Sequence, residues 1–260
     1  MTNRLAISLR ALALAAVLAA PAARADFSTT NVQLLQGFNF HDKTLGYNTA
    51  SGAMTTVTIN HFSTWAYGDN FFFVDMYRGN FLDFTGQTHD FDRAKAYGEW
   101  HPRLDLGKMV GFKMPGFKTF GPAGELNLGS GYFGYLGGVG GDLDLPIPGV
   151  VGLNVYYKYD QYLHDTYQIS PFWTVPFSIG PIPFLFTGFV DIQGWKKDGV
   201  GDNSFDGIDV LAQPELLVDV LAPFGGKPGK LYAGCEYYLH FNKTHGDEQV
   251  PQAMLQWNFN

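Results

Sequence analysis

The feature that most constrains this chain is a strict two-residue alternation over residues 93 to 105. Ala94, Ala96, Gly98, Trp100, Pro102 and Leu104 fall on one side, and Arg93, Lys95, Tyr97, Glu99, His101, Arg103 and Asp105 on the other. Successive side chains of a strand point to opposite faces, so this segment carries an uncharged face and a charged face. In a soluble sandwich the apolar face packs a core and the polar face meets bulk water. A ladder as charged as Arg93, Lys95, Glu99 and Arg103 suits a wet lumen behind a lipid-facing wall.

The pattern recurs along the chain. Val57 and Ile59 oppose Thr56, Thr58 and Asn60; Val151, Leu153, Val155, Tyr157 and Tyr159 oppose Asn154, Tyr156, Lys158 and Asp160. Ile182, Phe184, Phe186, Val190 and Ile192 oppose Thr187, Asp191 and Gln193. Ile208, Val210, Leu216 and Val218 oppose Asp209, Gln213, Glu215 and Asp219, and Ala233, Cys235, Tyr237 and Leu239 oppose Tyr232, Glu236, Tyr238 and His240. Weaker runs near 31–40, 69–78, 124–132, 133–145, 166–178 and 250–259 bring the total to about twelve strands, each near the ~10 residues that a tilted strand needs to cross a bilayer. No run of ~18 apolar residues follows residue 25, which leaves a closed barrel as the way to span a membrane. The expected fold is all-β: a closed antiparallel transmembrane β-barrel.

Residues 1–25 read as a secretory signal peptide. Arg4 and Arg10 precede an apolar run from Ala11 to Ala20, and Ala23-Arg24-Ala25 gives an A-x-A cleavage pattern. The expected division is therefore 1–25 signal peptide and 26–260 barrel, exported to the bacterial outer membrane. Loss of the leader removes three Arg and no acid, taking the formal charge from −7 to −10 and arguing against a nucleic-acid partner. One cysteine, Cys235, allows no internal disulfide. Pro102, Pro171, Pro176 and Pro214 fall inside proposed strands and predict bulges or strand ends. Turn-rich stretches occupy 41–52, 79–90, 107–124, 196–207, 223–229 and 243–248. With both termini periplasmic, the first, second, fourth and sixth face outside.

Catalytic and metal motifs are weak. Gly129-Ser130-Gly131-Tyr132-Phe133-Gly134 matches a dinucleotide fingerprint literally, but no helical period follows, so it reads as a tight hairpin. No G-x-S-x-G, H-E-x-x-H or paired C-x-x-C occurs, and the seven His are scattered; neither a metal site nor a cofactor is expected. Asp202 to Gly207 resembles the start of a calcium loop, yet Gln213 stands where a bidentate Glu is required. His61 and Ser63 share a face without an evident third partner, a thin basis for a lipid hydrolase or acyltransferase.

The sharper signal is Gly68-Asp69-Asn70-Phe71-Phe72-Phe73-Val74-Asp75. Alternation turns Phe72, Val74 and Met76 to lipid, and Phe71, Phe73, Asp75 and Tyr77 to the lumen. Inward rings interleaved with a carboxylate provide a groove where a flat solute stacks and hydrogen-bonds. The same residues from Tyr67 to Asp75, with Gly98-Glu99-Trp100-His101-Pro102-Arg103-Leu104-Asp105-Leu106 and Leu153-Asn154-Val155-Tyr156-Tyr157-Lys158-Tyr159, give the chain its likeness to a known family. It resembles the Tsx-like nucleoside-specific channels, OmpK-type outer-membrane proteins included. The resemblance implies a monomeric twelve-stranded barrel whose narrow lumen binds nucleosides. On that basis Phe71, Phe73 and Tyr77 are expected to stack, Asp75, Glu99 and Arg103 to make polar contacts, and Trp195 to line the strand mouth. The expected function is a passive, substrate-selective channel whose partners are a small solute and membrane lipid. A non-conducting structural or receptor barrel with a plugged lumen is the alternative.

Overall fold

The computed structural model describes residues 25–83, 85–196, 207–243 and 246–259. The proposed leader up to residue 24, and Asp202 to Asp206 of the calcium-like loop, lie outside the described residues. Twelve antiparallel staves form one closed sheet. They are β1 (Phe27–Gly37), β4 (Met54–Trp65), β5 (Gly68–Arg78), β6 (Ala94–Leu104), β7 (Gly121–Gly129), β8 (Tyr132–Asp142), β9 (Val150–Asp160), β10 (His164–Ile179), β11 (Ile182–Trp195), the interrupted stave β12 (Gly207–Ala212) with β13 (Glu215–Asp219), β14 (Leu231–Asn242) and β15 (Gly246–Asn258). Each pairs with its sequence neighbour, and β1 closes the ring on β15 from Asn31↔Asn258 to Gly37↔Gln252. A short hairpin of β2 (His41–Asp42) and β3 (Tyr47–Asn48) lies between the first two staves. Helix α1 (Leu106–Val110) lies in the β6–β7 connection, which is otherwise irregular up to Gly121.

Every stave expected from alternation is present, with ends shifted by a few residues. The largest shifts, of four residues, are at the starts of the first and last staves, and Phe38 to Phe40 leave the first stave for a loop. The connections at 38–53 and 79–93 lie at the end opposite the termini, and those at 105–120 and 220–230 at the terminal end. Ser130 and Gly131 form the two-residue turn joining β7 to β8, with Gly131 at φ 78°, so the dinucleotide-like motif is a hairpin as expected.

The prolines produce no bulge. Arg103↔Ala123 keeps the register of Trp100↔Leu126, but His101 and Pro102 make no pair with β7. Ser170 and Pro171 are likewise unpaired toward β11 within an unchanged register, and Gln213-Pro214 separates β12 from β13 without a slip against β11 or β14. Pro176 overhangs β9, whose pairing ends at Val150↔Thr174. Lacking an N–H, each proline sits where one ladder is already open. Opposite the last gap, Gly188 holds φ 142°, and a Cβ there would lie 2.4 Å from the Gln213 carbonyl oxygen.

Alternation divides the wall into two environments. Leu34, Ile59, Phe72, Val74, Met76, Trp100, Leu126, Leu128, Val155, Phe186, Leu216 and Leu255 are exposed on the outside. An apolar surface of that extent is not what a soluble monomer shows. Tyr135, Tyr157, Tyr159 and Tyr167 cluster on the outside toward the end opposite the termini, and Trp173, Phe177, Phe184 and Trp257 toward the terminal end, as two aromatic girdles would. Inside, Gln33, Thr58, Arg103, Glu125, Asn127, Lys158, Gln168, Asp209, Glu236, His240 and Gln252 are buried.

Cys235 is exposed beside buried Glu236. A label on this native thiol should be quenched more strongly by a lipid-dissolved than by an aqueous quencher; the opposite ranking would mean that β14 is out of register by one and all its faces reversed. The unheated protein should also migrate apart from the boiled form on detergent gels, and identical migration would count against a closed barrel.

Candidate lumen site

The inward ladder of β5 and β6 builds the site. In register, Asp69 faces Arg103, Phe71 faces His101, Phe73 faces Glu99, Asp75 faces Tyr97 and Tyr77 faces Lys95. The Phe71 ring lies 6.1 Å from Phe73 and 5.5 Å from His101, and Phe73 lies 6.1 Å from Tyr97. The Tyr97 hydroxyl donates to Glu99 Oε1 at 2.5 Å, and His101 Nε2 lies 2.7 Å from Glu99 Oε2. His101 and Glu99 keep 18% and 12% of their side-chain surface open to water, against 2% for neighbouring Glu125. Charged groups that retain water avoid much of the cost of desolvation, so this strip, with Asp69 at 14% and Asp142 at 20%, belongs to the part of the interior that stays open to the lumen.

The other expected site residues are differently engaged. Arg103 donates two hydrogen bonds to Asp69 and one to Asp142, each 2.9 Å, and its guanidinium lies 5.0 Å from the Phe172 ring. A bidentate pair of this kind is strong and geometrically specific, and it fixes the lumen wall near the terminal end. Asp75 accepts from Thr58 at 2.5 Å and from Tyr77 at 2.7 Å. Tyr77 itself is buried among Phe40, Met54, Phe81, Tyr238 and Val250. Phe71, Phe73 and Glu99 thus share the wet strip, while Arg103, Asp75 and Tyr77 support it. Trp195 ends β11 opposite Gly207, half-buried and on the inward parity of Asp191 and Gln193.

Around the wall, from β9 through β10, β11 and β12 to β14, runs a polar chain of inward residues on neighbouring staves, and it ends on the 38–53 loop. Lys158 donates to Gln168 at 3.1 Å and Gln193 at 2.6 Å, and Ser170 donates to Asp191 at 2.6 Å. Gln193 donates to Asp209 at 2.7 Å, and His240 Nε2 lies 2.7 Å from that same carboxylate. His240 Nδ1 lies 2.5 Å from Asp42, which also accepts from Tyr238 at 2.6 Å. The sequence pattern had placed Lys158, Asp191, Asp209 and His240 on inward faces. Asp42 gave no such signal, since its turn-rich segment has no period.

Asp42 anchors the 38–53 loop inside the mouth. Phe40 and Thr49 are fully buried there, and Tyr47 lies 4.8 Å from Tyr77. The first two outward-expected loops sit at the end opposite the termini and turn Phe40 and Phe81 inward to pack with Met54, Tyr77, Tyr238 and Val250.

On the outer face, His61 Nδ1 meets Thr30 Oγ1 at 2.8 Å and the ring stacks on Phe72 at 5.1 Å. The hydroxyl beside His61 is thus Thr30, across the strand pair, and not Ser63.

Asp42 lies outside the spanning strands. Burial opposes its charge, yet the contacts with His240 and Tyr238 hold its carboxyl below the usual carboxylate range. A depressed folded value means that the clamp is at full strength above the unfolded pKa and weakens as pH falls through the folded one. Amide exchange at Thr49, whose N–H bonds Phe40 O at 3.1 Å, should stay slow from neutral pH to about pH 4 and rise below it. Asp42→Ala should speed this exchange at neutral pH, since removing one partner of a buried charged pair costs about 3–5 kcal/mol. Unchanged exchange in the variant would show that apolar packing alone holds the loop.

No family model matches this chain and no curated protein matches it. Among solved structures, one similar chain is a bacterial polysaccharide outer membrane secretin, 9% identical, with a TM-score of 0.41 over 90% of this chain and 99% of that one. At that degree of overlap the likeness carries no functional information.

Proposed function

We propose that this protein is an outer-membrane barrel that passes small solutes passively and selectively, with nucleosides as the favoured class. The observation that carries the reading is the wet aromatic and ionisable strip of Phe71, Phe73, Glu99 and His101 inside a closed wall. Flat rings bind the face of a base with little regard to its identity, and the adjoining carboxylate and imidazole offer an acceptor and a donor for ribose hydroxyls or base edges. The apolar outer surface and its aromatic girdles support placement in a membrane, and the resemblance to nucleoside channels supports both the solute class and a monomer. Diffusion down a gradient needs neither cofactor nor energy source.

A non-conducting barrel is the second reading. It is favoured by one observation, the 38–53 loop clamped in the mouth through Asp42 and Phe40. Under the first reading that loop narrows the entrance and sets the size limit.

Liposome swelling with nucleoside competition, at matched protein incorporation, separates the two. Phe71→Ala and Phe73→Ala should each weaken nucleoside competition about 5- to 150-fold, the equivalent of ~1–3 kcal/mol for a lost stacking ring. Phe72→Ala, facing outward, should leave competition unchanged. Equal effects at all three positions would refute the face assignment. Swelling without nucleoside discrimination would remove the solute class but keep the channel, and no swelling at all would favour the plugged barrel.

A further inference from the structure

Beside the open step of the β6–β7 ladder at His101 and Pro102, three ligating side chains share the inward face. Glu99, His101 and Glu125 each offer one donor atom, and the three atoms lie within 4.8 Å of one another. An imidazole nitrogen and two carboxylate oxygens suit a borderline divalent ion such as Zn²⁺, with three protein ligands and a remaining position toward the lumen. Atoms so spaced can close on a common ion through small side-chain rotations, since zinc takes such ligands at about 2.0–2.2 Å.

The satisfaction of the buried groups favours a cation here. Glu125 is 5% exposed; its carboxylate receives a hydrogen bond from the Asn127 side chain, but Oε1 has no partner among the described residues. Buried carboxylate oxygens are rarely left so, because the desolvation cost then falls on the group. His101 Nδ1 lies 3.4 Å from Glu125 Oε2, longer than its 2.7 Å contact with Glu99, so the imidazole satisfies only one carboxylate well. The other charged groups that act on this trio are Lys158 from β9 and Asp191 from β11. Lys158 Nζ is already hydrogen-bonded to Gln168 and Gln193. The partial exposure of Glu99 and His101 gives an ion a route from the lumen. By contrast, the carboxylates of Asp42 and Asp209 contact opposite nitrogens of His240. That ring already bridges its two partners.

We infer that Glu99, His101 and Glu125 form a lumenal site for a divalent transition-metal ion, with Zn²⁺ as the probe that tests it. A metal ligand must be deprotonated, so binding displaces any proton on the ligating nitrogen. The inference concerns ion retention; a bound ion would occupy Glu99 and His101, leaving Phe71 and Phe73 as the groups open to solute.

The test is calorimetric titration of the folded, detergent-solubilised full chain with ZnCl₂ at pH 7.5, in two buffers of different ionisation enthalpy. The expected result is one saturable Zn²⁺ per chain. His101→Asn and Glu125→Gln should each weaken binding at least ~10-fold, by analogy with the loss seen even for outer-shell partners. His240→Asn should leave zinc affinity unchanged. Folding of each variant is read from its heat-shifted gel migration, and a variant that fails to fold is replaced by Glu99→Gln. No saturable binding, or binding that survives the loss of both His101 and Glu125, overturns the inference.

Discussion

Closure of β1 on β15 is the constraint on which the rest depends. In lipid an unpaired backbone amide costs several kcal/mol, so a sheet can span only if its first and last strands satisfy each other. The seven-residue ladder from Asn31↔Asn258 to Gly37↔Gln252 does this, and it fixes the parity of every stave between. Once parity is set, each charged residue on an inward position must find a partner or water inside the ring. Arg103 with Asp69 and Asp142, and His240 with Asp42 and Asp209, are such solutions.

Those solutions divide the lumen unevenly. Near the terminal end the Arg103 pairs join β5, β6 and β8, and at the other end the polar chain from Lys158 to Asp42 joins the far wall to the inward loop. Between them, Phe71, Phe73, Glu99 and His101 retain contact with water. A buried ionic network contributes specificity of arrangement more surely than net stability. Here it holds the wall and loop that bound the wet strip. The same uneven division leaves Glu125 with an unsatisfied oxygen where the β6–β7 ladder is interrupted.

Strand number, approximate strand limits and facing were legible in the sequence because a side-chain period of two is local and the two environments differ sharply. Thus Phe72 outward and Phe71 inward follow from counting alone. Side-chain partners along the wall were not legible: nothing local tells that Lys158 meets Gln193 or that Asp209 meets His240, since these contacts depend on the register between neighbouring staves. Asp42 was hidden for a different reason. Its segment has no period, and its inward fold is driven by Phe40 and by partners about two hundred residues away. His101 and Glu125 were visible as inward or weakly alternating residues, but their convergence depends on the β6–β7 register, which sets Glu125 opposite His101 and two residues along from Glu99. Of the two expectations for the prolines, bulges or strand ends, the second holds at Pro214, between β12 and β13, and at Pro176, beyond the end of the β9 pairing, while no bulge forms, because a ladder can lose a bond without gaining a residue.

The central claim is that β5 separates an apolar face toward lipid from an aromatic and ionisable face toward a wet lumen. Spin labels placed singly at positions 69 to 77 in bilayer-reconstituted protein test it most directly, through collision with oxygen and with a water-soluble relaxant. The account predicts oxygen accessibility peaking at 70, 72, 74 and 76, with aqueous accessibility out of phase and highest around 71 and 73. A flat profile, or oxygen maxima at 71, 73 and 75, would contradict it.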